Sequence, residues 1–220
     1  MKLKHIAILI FFSLFGKSGI SQAKLKGDVM VSVGLARCDL YNKLLFLDLG
    51  SKNGPLYPKT QTATNFLDFN ITYFSKKNIG KFKPLLGMGF TPYGFTENGE
   101  TLNDSQKTIN YSLIVKLEYA SFYSGLSYTI VDKNRVNIKF CQTLNPMFLI
   151  NKSLSIFNKM GISSRSNILV EMKFNNGNIL SVSPFFQTSI LKFNNLKKIS
   201  GSPNFHPYSY GFNLGAYLRH

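Results

Sequence analysis

Alternate positions along this chain separate, segment after segment, into an apolar set and a polar set. In the closing stretch, Tyr210, Phe212, Leu214, Ala216 and Leu218 share one parity. Ser209, Gly211, Asn213, Gly215 and Arg219 share the other, with Tyr217 as the exception. A strand points successive side chains to opposite faces, so the pattern predicts a strand with one oily and one wet side. The same period of two sets Val136, Ile138, Phe140 and Leu144 against Arg135, Asn137, Lys139, Cys141 and Thr143. It sets Ile168, Val170, Met172 and Phe174 against Asn167, Glu171 and Lys173. Leu180, Val182, Pro184, Phe186 and Ile190 oppose Ser181, Ser183, Gln187 and Ser189, and Val29, Val31, Val33 and Leu35 oppose Ser32, Gly34 and Ala36. Ile109, Tyr111, Leu113, Val115, Leu117 and Tyr119 oppose Asn110, Ser112, Lys116 and Glu118, with Ile114 as the exception, and Phe122, Leu126, Tyr128 and Ile130 oppose Tyr123, Gly125, Ser127 and Thr129. Tyr119-Ala120-Ser121-Phe122 reads as a short turn between two strands.

After residue 23 no apolar run recurs at spacings of three and four between caps, so no helix is expected. Asn175-Asn176-Gly177-Asn178 reads as a tight hairpin turn, because Asn-Gly readily takes positive φ. Longer links fall at 38–62, 91–106 and 192–205. The pattern predicts strands near 27–37, 63–74, 81–91, 107–119, 121–131, 134–144, 153–162, 166–174, 179–191 and 206–219. That makes ten, with Leu44 to Leu49 assigned to an excursion between the first two. Eight is the alternative, reached if 134–162 is partly loop. The class is all-β, an antiparallel up-and-down meander.

A soluble sandwich also alternates, but its outer face is charged and its strands run about five or six residues. The clearest segments here run close to the 9–11 residues of a tilted transmembrane strand. Charged residues are 16%, too few to clothe a water-facing surface of ordinary size. Aromatic residues lie towards segment ends, as interfacial girdles do. Open sheet edges are forbidden in hydrocarbon, so such strands must close into a transmembrane barrel, the last against the first.

The start of the chain adds a compartment. Lys2 and Lys4 precede an apolar run from Ile6 to Phe15, and small residues lead to Ala23. This is a secretory leader at 1–23, leaving 24–220 as the barrel domain. Ten apolar residues are too few for a spanning helix. Removing Lys2, Lys4 and Lys17 takes the net charge from +16 to +13. Export and the scatter of basic residues argue against nucleic acid; abundant Lys, Asn, Ile and Phe together read as the codon supply of an AT-rich genome, with some role for attraction to anionic headgroups. The two cysteines, Cys38 and Cys141, set no framework, and their pairing stays open.

Candidate chemistry is sparse. His206 lies near Ser202 and Ser209, with Asp104 as a distant third member of a nucleophilic triad; a strand-initiating histidine is the plainer reading. Glu97, Glu100 and Asp104 read as a solvated acidic loop without the ligand density of a calcium site. No enzyme, metal or cofactor is expected. Lys116, Glu118, Arg135, Lys139, Glu171, Lys173 and Arg219 fall on the face assigned to the lumen. They line an ion path or form a plug of ion pairs. A barrel of about this size is filled by its own side chains, which favours the plug.

Asn213, Gly215, Leu218 and His220, in the order polar, glycine, apolar, terminal ring, resemble the final strand of small outer-membrane β-barrel proteins of diderm bacteria. The resemblance is to the "outer membrane protein beta-barrel" group of Bacteroidota in particular. It implies an outer-membrane location, lipid as solvent, and those four residues as a signal to the barrel-insertion machinery. His220 stands where a terminal Phe is usual. The function expected is non-enzymatic: envelope structure, or binding of a surface ligand by external loops. A small solute channel or a subunit of a secretion or uptake assembly is the alternative, and a lipid-modifying enzyme the remote one.

Overall fold

In the computed structural model the alternating segments pair with their neighbours in sequence until the ring shuts. The structure describes residues 27–40, 56–102, 107–151, 159–191 and 206–218. Among them are β1 (Gly27–Leu40), β2 (Leu56–Ser75), β3 (Phe82–Leu102), β4 (Thr108–Asp132), β5 (Val136–Leu149), β6 (Met160–Lys173), β7 (Ile179–Ser189) and β8 (Pro207–Leu218). They form a closed antiparallel barrel in the order β1 to β8. The seam joins β8 to β1, from Val29 opposite Leu218 to Leu40 opposite Pro207. No sheet edge is left along that seam, which a bilayer requires.

The expected ten strands become eight among the described residues. The turn expected at 119–122 does not exist: β4 runs unbroken for 25 residues. The segments expected at 153–162 and 166–174 meet in the single strand β6, which begins at Met160. The link expected at 91–106 is largely the upper half of β3, itself 21 residues long. The leader at 1–23 and the excursion at Leu44 to Leu49 lie outside the described residues.

Two ends of the barrel differ. At one, short turns join β2 to β3, β4 to β5 and β6 to β7. The Asn175–Asn178 turn is as the sequence predicts: Gly177 takes φ 77°, and Phe174 N–H donates to Asn178 O at 2.9 Å. At the other end lie the long links that follow β1, β5 and β7 and a brief one from β3 to β4, and there β2, β3 and β4 outrun their neighbours. Tyr119 is the first β4 residue that pairs with β5, so 108–118 pair with β3 alone within the sheet.

An apolar belt girdles the short-turn half. On β3 it is Phe82, Pro84, Leu86, Met88 and Phe90; on β4, Phe122, Leu126, Tyr128 and Ile130; on β8, Tyr208, Tyr210, Phe212, Leu214, Ala216 and Leu218. Leu86 is 56% exposed, Phe122 53% and Leu214 54%. Three polar exceptions, on β5 and β6, satisfy one another: Gln142 Nε2 donates to Ser164 Oγ at 2.6 Å, and Ser166 Oγ donates to Gln142 Oε1 at 2.5 Å. A continuous oily exterior on a sheet without a seam edge is a surface made for hydrocarbon.

Candidate functional site

Alternation that faces lipid on one side must fill the lumen on the other, and it does so in tiers. In the middle tier, Asp68 of β2 meets Arg165 of β6 at 2.9 Å, with side chains 1% and 8% exposed. Those strands are four places apart in a ring of eight, so the pair spans the lumen. Asn70 Nδ2 and Asn213 Nδ2 donate to the same Asp68 oxygen at 2.7 and 2.8 Å. The Arg165 guanidinium also lies 3.7 Å from the centre of the Phe185 ring. Gly34 makes room for this cluster: a Cβ there would stand 2.1 Å from Asn213 Oδ1 and 2.0 Å from Phe212 O.

A second diametric contact lies nearer the long-link end, where Gln187 Nε2 of β7 donates to Tyr93 Oη of β3 at 2.8 Å. Around it Cys38, Phe66, Tyr93, Phe95, Val115, Leu117, Tyr119 and Met147 form a buried apolar cluster. Towards the short turns, Lys139 of β5 meets Glu171 of β6 at 2.6 Å, both buried. Asn137 Nδ2 donates to Glu171 at 3.0 Å, and Tyr217 Oη donates to it as well. A small cavity of about 30 Å³ lies between these tiers, beside Asn70, Phe74, Arg165 and Asn213, room enough for water. Each buried charge in these two pairs has an opposite charge and further hydrogen bonds or, for Lys139, the Phe74 and Tyr217 rings, the condition under which charge is tolerated away from water.

The expected lumen charges are dispersed. Lys139 and Glu171 face inward and pair. Lys116 and Glu118 do not: they form a 2.7 Å pair on the outside of the barrel, with Lys116 46% exposed. The correction follows from β4 being one strand. Its odd residues stay inward throughout, so Val115, Leu117 and Tyr119 fill the lumen and the even residues 116 and 118 point out. Arg135 is exposed in the β4–β5 turn, and Lys173 ends β6 at 3.6 Å from Asp132. Arg219 and His220 lie outside the described residues, as do Asp104 and Ser202. Asn213 and Gly215 face the interior, Leu218 faces outward, and His206 is half-buried just ahead of β8. Cys38 and Cys141 are both free and buried, in separate clusters.

Asp68, Arg165 and Tyr217 are the residues that sequence reasoning missed. Parity carried the signal: Asp68 alternates with Leu67 and Phe69, and Arg165 shares parity with Asn167 and Glu171. Arg165 went unread because it fell in a supposed gap between two strands.

Above the belt, β2, β3 and β4 continue as a wall. Its inner face carries Phe95, Leu113 and Val115 with Glu97, which is fully buried. Glu97 and Glu100 therefore stand on a strand, not in an acidic loop. Gln61 Nε2 and Tyr111 Oη each donate to the Glu97 carboxylate at 3.0 Å. Desolvation, then the adjacent carboxylate, pushes the Tyr111 phenol up to about 12, so it stays a protonated donor at neutral pH. The outer face carries Thr96, Asn98, Glu100, Asn110 and Ser112, with a Lys59–Glu100 ion pair and Ile114 as an apolar exception. A shallow polar depression lies there between Lys59, Asn98, Asn110 and Ser112.

No family model and no curated protein matches the sequence. Among solved structures, the chain is similar to Neisserial surface protein A, with a TM-score of 0.47, 9% identity, and coverage of 86% of this chain and 96% of that one. It is similar to the outer membrane protein OprG from Pseudomonas aeruginosa, with a TM-score of 0.41, 10% identity, and coverage of 86% and 95%. It is also similar to the outer membrane protein AlkL, with a TM-score of 0.44, 14% identity, and coverage of 93% and 96%. By its own geometry, a closed antiparallel meander of even strand number within an apolar belt, the chain has the architecture of a small outer-membrane β-barrel.

Proposed function

We propose that this protein is a non-conducting, non-enzymatic outer-membrane barrel whose work is done by the wall of β2, β3 and β4 at the cell surface. The observation that carries the reading is the pair of contacts across the lumen, Asp68 with Arg165 and Tyr93 with Gln187. A hydrated ion would have to break both, and barrels of eight strands are filled by side chains. The leader at 1–23 exports the chain. Short turns face the periplasm and long links face outward, the usual orientation of such barrels. The wall then projects beyond the lipid as a polar surface on a rigid base, the arrangement through which scaffolded segments bind partners. Asn213, Gly215, Leu218 and His220 serve as the assembly signal read by the insertion machinery.

Single-channel recording in planar bilayers tests the sealed lumen. Folding is scored separately by the gel-mobility shift between unheated and boiled samples. A folded barrel that stays electrically silent supports the proposal, and regular current steps from the same preparation overturn it.

A further inference from the structure

Among the described residues, cations outnumber acids at the short-turn end of the barrel. Lys76, Lys77 and Lys81 surround the β2–β3 turn, with Lys83 beside them on the inward parity of β3, and Lys133 and Arg135 occupy the β4–β5 turn. Both turns lie at the same end, and β2 to β5 are consecutive in the ring, so Lys76, Lys77, Lys81, Lys133 and Arg135 make an arc over β2 to β5. Among the described residues, the acids at this end are Asp132, 3.6 Å from Lys173, and Asp28, on the inward parity of β1. At the opposite end, among the described residues, the two signs are mixed: Lys59 pairs with Glu100 and Lys116 with Glu118, and Arg37, Lys107 and Lys159 stand there with Asp39 and Glu97.

The height of the arc says what it meets. Phe82, Tyr128, Val136 and Phe174 form the lower margin of the apolar belt, between 37% and 49% exposed. Ile79, 63% exposed, is held beside this margin by its backbone pair with Phe82. The cations therefore stand one step beyond the aromatic and aliphatic edge, at the depth of lipid headgroups. Long basic side chains at that depth reach the interface while their stems stay against the apolar margin. A soluble anion would need no such registration with the belt.

We infer that this arc is a binding site for anionic phospholipid headgroups in the leaflet at the short-turn end. The inference rests on the reading that the belt is embedded in lipid. Each cation near an anionic surface adds attraction that salt weakens within a Debye length. The arc would gather such lipids against β2 to β5.

The test uses the full mature barrel folded in neutral detergent, with bound lipid counted by native mass spectrometry during titration with phosphatidylglycerol or phosphatidylcholine. The arc variant combines Lys76→Gln, Lys77→Gln, Lys81→Gln and Lys133→Gln; the control combines Lys59→Gln and Lys116→Gln at the other end. The expected result is preferential retention of phosphatidylglycerol by the native chain. Its affinity should fall at least about tenfold in the arc variant and stay unchanged in the control. Equal retention of the two lipids, an equal loss in both variants, or no lipid preference together with binding to peptidoglycan sacculi would each overturn the inference. The heat-dependent mobility shift separates the two levels. A chain that never shows it takes down the membrane reading itself, whereas a folded barrel without lipid preference takes down only the arc.

Discussion

Above and below Tyr119, the same strand answers opposite demands. In its lower half β4 turns Phe122, Leu126, Tyr128 and Ile130 outward, and Tyr123 and Ser127 inward. In its upper half Val115, Leu117 and Tyr119 turn inward, and Ser112, Lys116 and Glu118 outward. The backbone does not change parity; the medium changes. Lipid outside calls for an apolar exterior and tolerates a polar, hydrogen-bonded interior. Water outside restores the rule of soluble β-structure, oil in and polar groups out. β3 inverts at the same height: Phe82, Pro84, Leu86, Met88 and Phe90 face out below, and Gly94, Thr96, Asn98 and Glu100 above. The molecule is a membrane barrel below and part of a soluble one above, sharing strands.

Three tests by substitution sharpen that contrast. The largest effect belongs to the lower interior. Arg165→Ala leaves Asp68 charged, 1% exposed and without its cation, at a cost of about 3–5 kcal/mol. Urea unfolding in lipid vesicles measures it. Adding Asp68→Asn should recover part of the loss, because the orphaned charge goes with it, and a purely additive double variant would break the account of the pair. Next comes the upper interior. Leu117 is fully buried in the apolar cluster, so Leu117→Ala should cost about 2–5 kcal/mol in the same assay, as in a soluble core. A neutral result would mean that the upper lumen is wet.

The third introduces the same residue, lysine, on each of the two exteriors. Leu126→Lys places a charge on the belt and should cost about 2–4 kcal/mol near the bilayer midplane. Ser112→Lys places the same charge on the wall, where surface changes stay within about 0.5 kcal/mol. Similar costs at both sites would erase the distinction between the regions.

Much of the lower half was legible in the sequence because one face was predominantly apolar for nine or more residues. The Asn-Gly hairpin at 175–178 followed from turn chemistry, and the closing pairing of the Tyr210–Leu218 face against Val29 to Leu35 from parity together with the ban on open edges in hydrocarbon. The upper half was not legible by the same rule. A phase flip at Tyr119 reads as a turn if the exterior is assumed to be lipid throughout, and that assumption made two strands of one. It also put Lys116 and Glu118 in the lumen and read the upper half of β3 as a loop. Lys139 and Glu171 were visible as inward charges, but their partners Asn137 and Tyr217 depend on which strands are neighbours. Asp68 and Arg165 meet across the ring from positions 97 residues apart in sequence, a distance no local pattern spans.

The boundary between the two media is the central claim, and membrane-impermeant maleimide labelling of single cysteines in vesicle-inserted barrel tests it most directly. In a background with Cys38→Ala and Cys141→Ala, the probes are Leu86→Cys and Leu126→Cys on the belt and Asn98→Cys and Ser112→Cys on the wall. The account predicts that the two wall positions label fully in intact vesicles when the wall faces the reagent, while the two belt positions label only after detergent is added. Belt cysteines reacting as fast as Ser112→Cys in intact vesicles would show that the apolar exterior meets water, and the account would fall.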